Sequence, residues 1–126
     1  MIFVFGSNLL GIHGAGSALE ARKRGFPSGL GVGYHSASQC YAFPTCFRPG
    51  QPLDTRKITH YAAQLLEFAK MHPEIQFQLT RVGCGYAGFD DMTMACMFLS
   101  APPNILFDTQ WAPFLSDSAH FWGTFK

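Results

Sequence analysis

Met1-Ile2-Phe3-Val4-Phe5-Gly6-Ser7-Asn8-Leu9-Leu10-Gly11-Ile12-His13-Gly14-Ala15-Gly16-Ser17-Ala18 is the stretch that decides the fold. Ile2 to Phe5 is a continuous apolar run, the pattern of a strand covered on both faces. A glycine-rich loop follows, and Ala15 to Arg24 then carries Ala15, Ala18, Leu19 and Arg22 at helical spacing. Strand, glycine loop and helix start in succession form the opening unit of an α/β domain. Backbone N–H groups exposed at such a helix terminus suit phosphate oxygens.

The remaining glycines extend this reading. Of the 13, eight lie in the first 33 positions, and Gly83, Gly85 and Gly88 form a second cluster. Glycine costs backbone entropy, so clustering marks places where the chain turns sharply or approaches something closely. The second cluster also follows a strand pattern, because residues 75–82, Ile-Gln-Phe-Gln-Leu-Thr-Arg-Val, alternate apolar and polar side chains. It also leads into a helix pattern, which Asp90 and Asp91 open and which runs through Met92, Ala95, Cys96 and Leu99.

Between the clusters, Gln39 to Thr45 reads as a strand. Ile58, Tyr61, Ala62, Leu65, Leu66 and Ala69 then form one apolar helical stripe, with Asp54 as N-cap and Pro73 as stop. Asn104 to Asp108 makes a last short strand, and residues 111–126 form an aromatic, irregular tail docking on the core. Gly33-Tyr34-His35 is expected as a flap over the cleft. The order β-α-β-α-β-α-β implies a mixed, mostly parallel sheet with helices on both sides. Ligands bind such sheets beyond the carboxyl ends of the strands, where both glycine clusters fall.

Composition narrows the function classes. The chain has 126 residues, 48% hydrophobic and 13% charged, with thirteen Phe. That fits one domain, residues 1–126, and excludes intrinsic disorder. Its most apolar stretch, residues 92–103, is shorter than the roughly 20 residues of a membrane-crossing helix. Residues 1–6 show no basic leader or cleavage site of a secretion signal, so reduced thiols and a cytoplasmic location are expected. Net charge is +1, which gives no drive toward a duplex groove or an anionic membrane. Residues 1–57 hold six Lys/Arg against Glu20 and Asp54, a mild excess suited to a small anionic ligand. Cys40, Cys46, Cys84 and Cys96 include no Cys-x-x-Cys pair, so neither a metal nor a cofactor is expected.

Two segments carry the candidate chemistry. The first loop lacks the Lys-Ser/Thr of a P-loop and the spacing of a dinucleotide fingerprint. The second is Gly83-Cys84-Gly85-Tyr86-Ala87-Gly88-Phe89. Either alone reads equally as a tight turn; facing each other, they would hold a diphosphate. Near them His13, His35, Asp90 and Asp91 are the available acid–base groups, with His13 and Asp90 the catalytic candidates. Asp90 and Asp91 also serve as helix-start residues, and Phe89 as core.

Asn8-x-x-Gly11-x-x-Gly14-x-Gly16-x-Ala18, together with residues 82–88, Val-Gly-Cys-Gly-Tyr-Ala-Gly, resembles the paired ligand loops of the macro domain. More narrowly, the chain is similar to a small macro-domain-like family of phage and bacterial proteins. The likeness rests on Phe5-Gly6-Ser7-Asn8, on Tyr41 to Thr45 and on Thr80 to Gly85, and it covers roughly residues 2–111. It implies a three-layer αβα fold that binds ADP-ribose or a related nucleotide or cyclic nucleotide signal. The partner would be that small molecule or an ADP-ribosylated macromolecule.

By the same resemblance Asn8 faces the distal ribose. The backbone at Gly11, His13, Gly14, Ala15, Gly16 and Ser17, and at Gly83, Cys84, Gly85, Tyr86, Ala87 and Gly88, surrounds the ligand. Phe89 or Trp111 stacks on a ring. No Asp stands ahead of the first loop, where macro domains usually carry one that reads adenine, so the base is left open. Hydrolytic relatives carry a Lys after the Pro-Thr strand and sometimes an Asp in the second loop. Here Cys46-Phe47-Arg48 and Ala87 stand there, and neither supplies imine chemistry. Three roles follow: an ADP-ribosyl hydrolase, a phage protein that sequesters a host signalling nucleotide, or a ligand-free interaction module whose aromatic, weakly charged surface suits an oligomer.

Overall fold

The computed structural model describes residues 1–124; Phe125 and Lys126, the end of the expected tail, lie outside the described residues. Along the chain run β1 (Ile2–Asn8), α1 (Gly16–Lys23), β2 (Gly33–His35), β3 (Cys40–Arg48), β4 (Gln51–Pro52), α2 (Thr55–Met71), β5 (Phe77–Leu79), α3 (Asp91–Ala95), β6 (Ile105–Asp108) and β7 (His120–Gly123). Single 3-10 segments at Cys96–Phe98 and Thr109–Phe114 flank β6. The sheet order is β2-β3-β1-β5-β6-β7, with β4 also on β3. β1 runs parallel to β3 and β5, and β6 parallel to β5 and β7; β2 and β4 are antiparallel to β3. The protein is an α/β structure with a mixed, mostly parallel sheet between helices.

β1 shows why its apolar run is unbroken. Ile2 and Val4 join the larger core with Ile58, Leu65, Phe77, Met94 and Trp111 on the α2 and α3 side. Phe3 and Phe5 join a second cluster with Ala18 and Ala21 of α1 and with Phe26. A strand with a helix layer on each face has no side to leave polar. α2 matches its stripe: Ile58, Ala62, Leu65, Leu66 and Ala69 are buried, and Asp54 accepts a hydrogen bond from the Arg56 amide at 2.7 Å.

Four expectations are corrected. The strand expected over residues 75–82 is confined to Phe77–Leu79, because the Ile75 amide donates to His72 O and the Val82 amide to Thr80 O, both in turns. The helix expected through Leu99 is α-helical only to Ala95 and then tightens to 3-10. Gly33-Tyr34-His35 is no flap: it is β2, an edge strand on β3, with His35 Nδ1 bonded to Ser38 Oγ at 2.8 Å. Nor is the tail irregular. Its Trp111 is fully buried and its residues His120–Gly123 form β7, which extends the sheet beside β6.

Candidate functional site

β1 and β5 are adjacent, parallel and central, and the chain leaves their carboxyl ends toward opposite faces of the sheet. From β1 it enters α1, on the Phe5 face; from β5 it enters α3, on the Val4 face. This is a topological switch point, where two departing loops part and leave a crevice. A cavity of about 530 Å³ occupies it, within the size range of small-molecule sites. Gly6, Ser7 and Asn8 of β1, Thr45 and Cys46 of β3, Gly14 to Ala18, Arg81 to Gly83 and Gly85 to Ala87 supply most of the wall.

The first loop is fixed from behind. The Asn8 side chain is buried and clasps Ile12 both ways, Nδ2 donating to Ile12 O at 2.8 Å and Oδ1 accepting from the Ile12 amide at 3.0 Å. Asn8 lines the cavity, but both polar atoms of its amide already work to shape the loop. Gly11, at φ +71°, lies against the backbone of Gly29, where a Cβ would overlap it. Ser7 Oγ donates to Gly31 O at 2.6 Å.

His13 belongs to the same anchorage. It is 3% exposed, wedged edge-on between Phe5 and Phe26, with Nε2 at 2.9 Å from Leu30 O. A carbonyl only accepts, so Nε2 carries the hydrogen, and Nδ1 is left without a partner. The residues that shape the loop thus leave its far end, Gly14 to Ser17, at the cavity. Ala15 is the N-cap of α1 and makes no side-chain cap. Among the described residues the amides of Gly14 through Ala18 meet no protein acceptor.

The second loop turns more tightly. The Cys84 amide donates to Arg81 O, Gly88 to Gly85 O and Phe89 to Gly83 O, which closes the turn on itself. The amides of Gly83, Gly85, Tyr86 and Ala87, all at the cavity wall, meet no protein acceptor among the described residues. Gly85 and Gly14 have open space where a Cβ would stand. Tyr86 is 73% exposed at the wall, so the second loop offers an aromatic ring to the cavity.

Not every candidate reaches the site. The structure brings together Asn8, Gly14, Ala15, Gly16, Ser17, Gly83, Gly85, Tyr86 and Ala87. Gly11, His13, Cys84, Gly88, Phe89 and Asp90 stand outside the wall. Burial pushes the Cys84 thiol up to about 12, so it stays neutral. Phe89 packs partly buried against the larger core, outside the wall, and Trp111 is wholly buried, so neither lines the cavity as a stacking face. Asp90 is exposed and caps α3, its Oδ1 accepting from the Thr93 amide at 2.7 Å. Hydrogen bonds from the Thr93 side chain and amide hold its carboxyl below the usual range. A carboxylate tied into a helix cap outside the cavity is placed for neither proton donation nor abstraction there.

One side chain that the glycine patterns did not single out is Arg81. It lines the cavity, and its Nε and Nη2 donate to Asp91 Oδ1 and Oδ2, each at 2.8 Å. Asp91 Oδ1 also accepts from Trp111 Nε1 at 2.8 Å. Arg81 holds the Asp91 carboxyl below its ordinary range, and Asp91 in turn raises Arg81. The available signal was Arg81's position, a cation directly before the second glycine cluster. Ser7, Thr45 and Cys46 were also missed, because strand-end residues carry no pattern of their own.

Among the described residues no carboxylate, imidazole or amine lines the cavity, and no cluster of side chains suits a metal ion. No helix among them is long and apolar enough to cross a membrane. Fold and site together define an α/β protein with a cavity bordered by unpaired backbone amides at the switch point of its sheet. Comparison of the chain with models of known families, with curated proteins and with solved structures finds no match.

Proposed function

We propose that this protein binds ADP-ribose or a related nucleotide in the manner of a macro domain, its diphosphate held between the two loops. One observation carries the reading: unpaired amides from Gly14 to Ala18, at Gly83 and from Gly85 to Ala87 border the same cavity. An oxyanion gains most from donors already aimed and desolvated, since it then pays little for ordering them. The exposed ring of Tyr86 is available to stack on a base or shield a ribose, and such stacking tolerates any base.

Binding without turnover is the favoured form. Hydrolysis of an ADP-ribosyl bond needs a base or a base-activated nucleophile in reach, and among the described residues no carboxylate, imidazole or amine lines the wall to activate its hydroxyls and the Cys46 thiol. His13 and Asp90, the acid–base candidates of the sequence, lie elsewhere. The role consistent with this wall is to hold a nucleotide, free or attached to a macromolecule, and keep it from other proteins. Calorimetry with ADP-ribose, its cyclic forms and ADP tests the reading, with saturable binding of at least one expected. No binding of any at millimolar concentration rejects it. Release of free ADP-ribose from a modified protein over many turnovers rejects the binding-only form.

A further inference from the structure

We propose that Arg81 is the residue through which the cavity reads ligand charge, so that it accepts phosphorylated nucleotides and refuses uncharged nucleosides and sugars of similar shape. This rests on the nucleotide-binding reading above and adds a residue and a selection rule to it.

Geometry supports the assignment. Arg81 stands two residues past the end of β5, in the wall, with its side chain 31% exposed. Two of its N–H groups are fixed on Asp91 in a side-by-side pair, which sets the plane of the guanidinium. Its other N–H groups meet no protein acceptor among the described residues. Asp91 is itself held by Trp111, whose ring is fully buried and stacked on Phe98 at 5.9 Å. The fork therefore stands on a rigid base of indole and carboxylate. Binding spends little entropy on ordering it.

Charge points the same way. Among the described residues Arg81 is the one Lys or Arg in the wall, and Asp91, which pairs with it, stands outside the wall. An unpaired amide donates to a sugar hydroxyl or a phosphate oxygen alike, so the loops alone discriminate poorly. A guanidinium fork matches phosphate geometry, and its charge makes those hydrogen bonds roughly twice as strong as neutral ones. A nucleoside that displaces water from the fork without offering an anion leaves the N–H groups not held by Asp91 poorly paired.

Titration calorimetry on the intact chain tests this, with ADP-ribose, ADP, inorganic pyrophosphate and adenosine as probes against wild type, Arg81→Gln and Arg81→Lys. Wild type is expected to bind the phosphorylated probes and to show no measurable heat with adenosine. Arg81→Gln should lose roughly tenfold or more in affinity for ADP-ribose and pyrophosphate. It should also lessen the fall of affinity with added salt. Arg81→Lys keeps the charge and loses the fork, so it should bind between the two. It also keeps the test open should the glutamine variant fail to fold, a fall below wild type in the folded Lys variant being the supporting result. Equal affinities and salt slopes in wild type and the folded variants overturn the assignment while leaving the nucleotide site standing. Adenosine bound as tightly as ADP overturns the charge rule. Failure of wild type to bind any phosphorylated probe removes the underlying reading as well.

Discussion

Gly83 and Gly85 stand two positions apart in one turn and answer different demands. Gly83 has φ +82°, and a Cβ there would lie 2.8 Å from Met94 Cε and Sδ. Gly85 has no such conformation, and space is open where its Cβ would go. Gly83→Ala is therefore expected to cost about 1–2 kcal/mol of stability, chiefly through the left-handed backbone, since the end of Met94 is able to swing aside. Gly85→Val should leave the unfolding midpoint nearly unchanged and remove most affinity for ADP-ribose, because its methyls intrude on the cavity wall. Denaturant melts beside calorimetry separate the pair; a Gly85→Val protein that binds normally defeats the loop assignment. His13 separates structure from chemistry in the same way. Removing its ring with His13→Ala opens a hole between Phe5 and Phe26 and strips Leu30 O of its donor. A loss of about 2–4 kcal/mol is expected in urea unfolding. A stability change near zero would contradict its reading as the anchor of the first loop.

Among the elements, α2 was readable almost to its ends because every local signal agreed. An Asp cap, a single apolar stripe and a following proline all describe the same helix. Other elements carried conflicting signals. Polar–apolar alternation continued past β5 at both ends, yet Ile75 and Val82 spend their amides on turns, which alternation does not report. β7 was invisible because its strand character comes from β6 alongside it, a tertiary effect that the local sequence of the tail does not carry. Both glycine loops were legible as turns beside one crevice; that His13 faces the back of its loop was not, since orientation depends on the 25–33 segment behind it. α3 shows an element whose sequence signal had two causes. Asp90 and Asp91 mark a helix start, and while Asp90 only caps, Asp91 joins α3 to Arg81 and Trp111. Arg81 lowers the Asp91 pKa in the folded state. The pair's stabilisation is thus fully present above the ordinary carboxylate value of about 3.9 and is lost as pH falls through the lower folded value. Asp91→Asn should accordingly flatten the acid side of the stability–pH curve and cost about 1–3 kcal/mol near neutral pH. Unfolding measured from pH 7 down to pH 2 checks this, and curves that stay parallel would refute it.

For the molecule as a whole, the two loops gain meaning only because β1 and β5 are neighbours. β3 and α2 intervene in the chain, yet β3 pairs on the far side of β1, and α2 crosses the sheet to deliver β5 to the near side. Thr80 Oγ1 then bonds Val4 O at 2.7 Å and ties the strand ends together just below the cavity. A ligand gripped by both loops would bridge segments that the fold itself leaves joined only at their bases. Two consequences follow, of which only the second distinguishes such a ligand from one held by a single loop. Bridging stabilises the folded state by mass action, about 2.7 kcal/mol at a hundred times Kd. It also slows amide exchange at both ends of the cavity. Hydrogen exchange with and without saturating ADP-ribose should therefore show protection at Gly14 to Ala18 and, together with it, at Gly83 and Gly85 to Ala87. Amides behind the first loop, such as those of Gly11 and Gly29, already have partners and should change little. Protection confined to one loop would mean that the diphosphate does not span the switch point, and the macro-domain-like mode of binding would have to be abandoned for a one-sided site.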